Sequence, residues 1–172
     1  NQVNAAGEIT TIKYYASDNY IMKIKGETTV EEFLNNIVSN NGEQLKIYDK
    51  EKEVGLAENI KTGMELRVGT SKTYILVVRG DINPDGKITP TDLSQLKKHN
   101  VGISKLEGEQ LKAADINYNG EITALDVSQL KMLLVGLELP EVKTSTGNII
   151  VTLDTTEAAK EVKLKIEVRE NA

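Results

Sequence analysis

The chain has no cysteine, no tryptophan, one phenylalanine, one histidine and three prolines in 172 residues. Without cysteine there is no disulfide framework and no thiolate chemistry. The lack of tryptophan and the single phenylalanine argue against a carbohydrate platform built on stacked aromatics, although six tyrosines keep one open. His99 has no Cys or Ser nucleophile motif beside it, so it reads as a packing or surface residue. No apolar run approaches the ~18–20 residues of a membrane span, and no membrane partner is expected. Positive charge is also in deficit. The net charge is -5, whereas a nucleic-acid surface is basic, so nucleic acid is not expected as a partner either. No signal peptide is visible, and a chain opening at Asn1 without Met is expected to be a mature or excised fragment.

What is present falls into three stretches. Residues 1–79 alternate like strands. Ile9–Tyr15 and Tyr20–Lys25 flank the turn cluster Ser17-Asp18-Asn19. Thr29 and Glu32 then form a capping box for a short helix whose apolar stripe is Val30, Phe33, Leu34, Ile37 and Val38, stopped by Asn40-Asn41-Gly42. Three further strands are predicted at Gln44–Tyr48, Glu65–Val68 and Lys72–Val78. The last is apolar on both faces and therefore central. The result is an α+β module of about five strands and one helix. Residues 80–139 switch to helical periodicity. Residues 140–172 hold a linker-like Lys143–Gly147 and two alternating runs around Ile149–Leu153 and Val162–Val168, which are expected either to join the first sheet or to start a further module. The fold class expected is α+β: a small, mainly-β N-terminal module with one helix, an all-α unit with paired loops, and a C-terminal β segment.

The middle stretch contains an internal repeat. Asp81–Asp92 and Asp115–Asp126 are twelve-residue segments 34 positions apart with the same run of oxygen-bearing side chains. Calcium takes six to eight oxygens at about 2.3–2.6 Å, from loop positions 1, 3, 5, 7, 9 and 12, with glycine at 6 for the sharp turn. The first copy offers Asp81, Asn83, Asp85, the Lys87 carbonyl and Asp92 around Gly86. The second offers Asp115, Asn117, Asn119, the Glu121 carbonyl and Asp126 around Gly120. Asp/Asn/Gly clusters are also ordinary turn sequence. Two copies with the same offsets, each closing on Asp and entering a helix, favour two calcium ions. Ile88 and Ile122 at position 8 strengthen this reading. Each helix starts from a threonine cap (Thr89, Thr123), with Pro90 at the first position of one, and ends near Gly102 or Gly136. Gly108–Ala114 is predicted as a short helix between them. Loop one carries three carboxylates and loop two carries two, so loop two is expected to bind more weakly.

The stretches Gly80–Thr89 and Ala114–Thr123, with the helices Asp92–Lys98 and Asp126–Met132, resemble a dockerin. Dockerins are the calcium-dependent plugs by which secreted proteins of anaerobic bacteria dock onto cohesin modules. A strand-like segment leads into loop one and both position-12 residues are Asp, as in dockerins and unlike an ordinary EF-hand. Pro84, Tyr118 and Asn119 depart from the usual Gly or Asp. The resemblance implies a cohesin of a scaffold or cell-surface protein as partner, extracellular or cell-surface location, and cellulosome-type assembly in polysaccharide degradation. It also implies a contact surface at loop positions 10 and 11 and the helical turns that follow. Those residues are Pro90, Thr91, Lys97 and Lys98 in one copy and Ala124, Leu125, Lys131 and Met132 in the other. The copies differ, so a single preferred orientation is expected, with Leu125, Gln129 and Met132 as one stripe opposite Val127, Leu130 and Leu134. The alternative is that Leu125 and Met132 pack against residues 1–79. That module is similar in chain position to the X modules that accompany and stiffen some dockerins.

Other readings are weaker. Arg79-Gly80-Asp81 spells an integrin-type tripeptide, but its Asp is the first loop ligand. The aspartates are spaced as ligands to one ion, not as a catalytic pair across a cleft, and no enzyme is expected. Two rival functions remain: a calcium-rigidified spacer of a surface adhesin or scaffold, or a ligand- or glycan-binding domain at 1–79 with the dockerin as its address tag.

Overall fold

The computed structural model describes residues 9–17, 19–139, 148–154 and 163–169. In chain order the elements are β1 (Ile9–Thr10), β2 (Tyr15–Ala16), β3 (Tyr20–Ile24), α1 (Val30–Leu34), β4 (Val38–Ser39), β5 (Leu45–Asp49), β6 (Lys52–Glu53), β7 (Glu65–Val68) and β8 (Lys72–Val78). These are followed by α2 (Pro90–Asn100), α3 (Gly108–Ala114), α4 (Ala124–Leu134), β9 (Asn148–Asp154) and β10 (Lys163–Arg169). Six strands form one sheet in the order β2-β3-β8-β7-β5-β6, in which β3 and β8 run parallel and the other neighbours antiparallel.

Strand β8 is central, and its two faces serve two cores. Tyr74, Leu76 and Val78 point into a cluster with Ile21, Phe33, Ile47 and Leu66 beneath α1. Val77 points the other way, into a cluster with Ile82, Leu96, Ala113, Ile116 and Leu130. Tyr20 and Met22 of β3 pack against that second cluster. The sheet therefore lies between α1 on one side and the helical segment on the other.

This arrangement corrects the expected fold class. Residues 9–139 make one compact unit of mixed α+β structure. The helical segment is not a separate all-α body. Its three helices are 11, 7 and 11 residues long, and the cluster it builds from Ile82, Leu96, Leu106, Ala113, Ala114, Ile116 and Leu130 is continued by Val77, Tyr20 and Met22 of the sheet. Long non-helical loops separate the helices. The N-terminal part is also richer in strands than expected, with six in the main sheet and β1–β4 as a separate pair.

Two local expectations also change. The predicted strand Ile9–Tyr15 breaks because the Thr11 hydroxyl accepts hydrogen bonds from the Lys13 and Tyr14 N–H groups, a side-chain turn. Ile12 is consequently fully exposed while Tyr14 turns inward onto Phe33, ring centroids 4.9 Å apart. Helix α1 starts at the predicted cap, where the Thr29 hydroxyl accepts from the Glu32 N–H. It ends at Leu34, because Val38 leaves to pair with Thr10. Strand pairing overrides the helical stripe there.

Strands β9 and β10 pair with each other from Lys163↔Asp154 to Arg169↔Asn148, in a second unit spanning 140–172. The linker-like Lys143–Gly147 lies outside the described residues. Among the described residues no helix is long and apolar enough to cross a membrane.

Candidate metal centre

Loop one begins where β8 ends. Gly80 adopts φ +84, and a Cβ there would stand 2.9 Å from the Leu130 side chain, so the chain turns tightly against α4. This places Asp81 in the interior with no exposed surface. Its Oδ1 accepts the Asp85 N–H at 2.9 Å and its Oδ2 accepts the Thr62 N–H at 2.8 Å. At the other end of the loop Asp92 is equally buried. Its Oδ1 accepts the N–H groups of Ile82 (2.8 Å) and Asn83 (3.0 Å), and its Oδ2 accepts the Thr89 N–H (2.8 Å). One carboxylate thus closes the loop and caps α2, which explains why position 12 coincides with the third helical residue. Asp85 accepts from the Lys87 N–H and from the Asn83 side-chain amide.

Loop two repeats the scheme. Asp126 Oδ1 accepts the Ile116 N–H at 2.9 Å and its Oδ2 accepts the Thr123 N–H at 2.8 Å. Asp115 accepts from Asn119 and Gly120, Asn117 from the Asn119 N–H, and Asn119 from the Glu121 N–H. Position 6 takes left-handed backbone in both copies, at Gly86 and Gly120, and in loop two Tyr118 at position 4 does so as well. Tyr118, an unusual residue for its position, lies on the sheet. Its hydroxyl accepts the Lys23 N–H at 3.0 Å, its ring lies 4.8 Å from the Arg79 guanidinium, and burial pushes its phenol up to about 12. Arg79 also donates to the Ile116 carbonyl. With Asp81 fully buried and Arg79 held by the Ile116 carbonyl and the Tyr118 ring, the tripeptide does not present the carboxylate that the integrin-type reading needs.

The donor set fits a hard cation. Asp81, Asp92 and Asp126 are buried carboxylates, and none has an ion pair among the described residues. A buried carboxylate without a counter-charge is costly. Burial also holds the Asp81 carboxyl above its ordinary value of 3.8. The position-3 oxygen, Asn83 Oδ1, is buried with no hydrogen-bond partner among the described residues. Among the described residues no three Asp, Glu, His or Cys side chains converge as a metal cluster. The oxygen donors are instead carboxylates mixed with Asn amides and backbone carbonyls, as calcium accepts and softer metals do not.

The sign of the pH dependence follows from Asp81. In the calcium-free protein its contribution to stability is fully present below 3.8 and is lost as pH rises through the raised folded value. A cation bound at these oxygens would compete with protons. Stabilisation by calcium is therefore expected to grow as pH rises from about 3.8 through the raised Asp81 value. Paired thermal melts with and without calcium test this; an increment independent of pH would contradict it.

The predicted contact residues are spread over two environments. Pro90, Thr91, Lys97, Lys98, Ala124, Leu125 and Lys131 are exposed and Met132 is half-buried. Leu125 is 52% exposed, whereas Gln129 is buried and its Oε1 lacks a hydrogen-bond partner among the described residues. Additional apolar surface follows the two helices. Val101 and Ile103 after α2, and Val135 and Leu137 after α4, are all exposed. Each pair brackets a left-handed glycine, with Ile103 N–H donating to the Lys98 carbonyl and Leu137 N–H to that of Met132. These are Schellman ends. Val101 joins Ser94, Lys97, Lys98, Ala124 and Val127 around a shallow groove between the end of α2 and the start of α4. His99 accepts the Leu106 N–H through Nδ1, a structural bond.

No curated protein matches the chain. Residues 79–135 match the family described as the Dockerin type I domain. Dockerins bind calcium, dock onto other proteins in a calcium-dependent manner, typically a cohesin, and are docking modules rather than catalytic domains. Proteins that carry them are typically secreted or displayed on the cell surface. The repeated loop–helix segment that rests on the outer face of the sheet is a dockerin module.

Proposed function

We propose that this chain attaches the protein that carries it to a cohesin on a scaffold or cell-surface protein, through a dockerin that binds two calcium ions. The observation that carries the reading is the pair of buried position-12 carboxylates, each closing an oxygen-lined loop and capping the helix that follows. Asp81, Asn83, Asp85, the Lys87 carbonyl and Asp92 hold one ion. Asp115, Asn117, Asn119, the Glu121 carbonyl and Asp126 hold the other. Bound calcium supplies the counter-charge that these buried carboxylates lack and so fixes α2 and α4 relative to their loops. The exposed residues on those helices then meet the partner.

Within that surface the second copy is the apolar anchor. Leu125 occupies the place held by Thr91 in the first copy, and Met132 the place of Lys98. Exposed apolar residues on a small acidic domain are suited to a desolvated interface centre. Residues 1–79 act as an accessory domain in the manner of an X module. Cellulosome-type assembly is the setting this implies.

Calorimetry against a panel of cohesins tests the reading. Binding is expected in calcium and absent after chelation. Leu125→Glu is expected to weaken it by at least about 2 kcal/mol, the scale of an interface hot spot, and Thr91→Glu by much less. Equal losses would mean that both copies serve as anchors. Absence of binding to every cohesin, with stability still raised by calcium, would favour the spacer reading, which the bonds from Lys23 and Thr62 to the two loops support.

A further inference from the structure

The two loops satisfy their first carboxylate in different ways. In loop two both oxygens of Asp115 accept N–H groups from inside the loop, Asn119 at 3.1 Å and Gly120 at 2.8 Å. In loop one the equivalent Asp85 N–H donates to Oδ1 of Asp81 and the Gly86 N–H also faces the carboxylate, but Oδ2 in addition accepts the Thr62 N–H at 2.8 Å. Thr62 belongs to the connection between β6 and β7, in the sheet domain. It is buried, and its hydroxyl accepts the Val78 N–H at 3.1 Å and donates to the Val78 carbonyl at 3.3 Å. The sheet thus fixes the Thr62 N–H at the point where the first ligand must stand. A second contact reinforces it: the Glu27 N–H donates to the Gly86 carbonyl at 2.9 Å. The fit is close, since a Cβ on Gly86 would stand 2.9 Å from the Ile60 carbonyl oxygen.

We infer that Thr62 is a positioning residue of the first calcium site: the sheet domain holds a ligand carboxylate of the first loop, whereas it touches the second through Tyr118 and the Ile116 carbonyl, which are not ligands. Removing a group that orients a metal ligand from outside typically costs about 10–100-fold in metal affinity. Site one is therefore linked to the integrity of residues 9–79, and by reciprocity calcium at site one stabilises the sheet. At site two the first carboxylate, Asp115, is held by N–H groups of its own loop. The inference rests on the calcium reading above and extends it: the sheet domain determines how tightly the first ion is held, and thus when docking is switched on.

The test is a calcium titration of the full chain followed by the backbone amide resonances of Gly86 and Gly120, one in each loop. In the unsubstituted protein both should move, Gly86 first. The Thr62 amide should shift along the Gly86 curve, with slowed hydrogen exchange. Thr62→Val keeps the shape and the N–H but removes the hydroxyl that holds it. It is expected to raise the calcium concentration needed at Gly86 about tenfold, to leave Gly120 within about twofold, and to be rescued by Thr62→Ser. Equal displacement of both midpoints, or no displacement of either, overturns the inference. So does a Thr62 amide that follows Gly120 or ignores calcium, a result that does not depend on the variant folding. If neither glycine responds to calcium in the unsubstituted protein, the calcium reading itself fails.

Discussion

Asp92→Ala is expected to unfold the helical segment even in excess calcium. The side chain accepts from the N–H groups of Ile82, Asn83 and Thr89 and from the Thr89 hydroxyl. Ile82 and Asp92 are both buried, so water cannot replace the lost acceptor without opening the core. A buried donor left unsatisfied costs about 1–3 kcal/mol, and losing a helix cap costs a further ~1 kcal/mol. A total of at least about 3 kcal/mol is a large share of a typical domain's stability. The missing calcium ligand adds to it. Urea denaturation followed by circular dichroism measures the loss. Asp92→Asn retains the side-chain shape and one acceptor oxygen and should fall between the two. Asp126, with the same contacts to Ile116 and Thr123, should behave likewise. A loss below about 1 kcal/mol for Asp92→Ala would show that the carboxylate does not hold the loop closed.

Phe33→Ala is the second large effect, and its reach matters more than its size. Phe33 is completely buried against Tyr14 in the cluster under α1. Truncation of a buried phenylalanine costs about 3–5 kcal/mol through lost transfer energy and the cavity left behind. The cluster it opens includes Leu76 and Val78, which alternate along β8 with Val77 of the second cluster. The two cores share a strand, so damage to the first should pass to the second. Hydrogen exchange is the suitable measurement: amides of α2 and α4 should lose protection in Phe33→Ala along with those of β5 and β7. Exchange faster in the sheet alone would mean that the helices retain a core without it.

The two oxygen-lined loops, each closed by an aspartate that caps the next helix, were legible in the sequence because their chemistry is local. Ligand types at fixed offsets, a glycine at position 6 and a threonine cap before Asp all lie within twelve residues, and the repeat removes coincidence. Helix α3 and strands β7 and β8 were legible for a similar reason, since periodicity within each segment matched the face it buries. What could not be read depends on distant neighbours. Thr62 reaches Asp81 through a backbone N–H, which every residue but proline possesses, so no side-chain signal marks it. Ile12 alternates like a core residue yet faces outward, because the Thr11 hydroxyl turns the chain just before Tyr14. Gln129 was read as surface from its helical phase and is buried. The exposure of Val101 follows from the Schellman end, which carries the chain away from the core. Tyr118 was noticed as unusual, but its partner, the Lys23 N–H, sits at an irregularity in β3 that propensity does not disclose.

The parallel pairing of β3 with β8 also dictates an order of assembly. Tyr20 pairs with Ile75 and Ile24 with Val78, so the ladder cannot form until nearly the whole first half of the chain is available. Joining ends so distant in sequence is slow compared with helix formation. Synthesis delivers the N-terminal part first, and the ladder becomes complete at Val78, three residues before Asp81 emerges. Tyr20, Met22 and Val77 are the floor against which Ile82, Leu96 and Leu130 pack, so the helical segment is expected to settle only once that slow ladder has formed. The loops then close last because the surface beneath them is the slowest part to assemble.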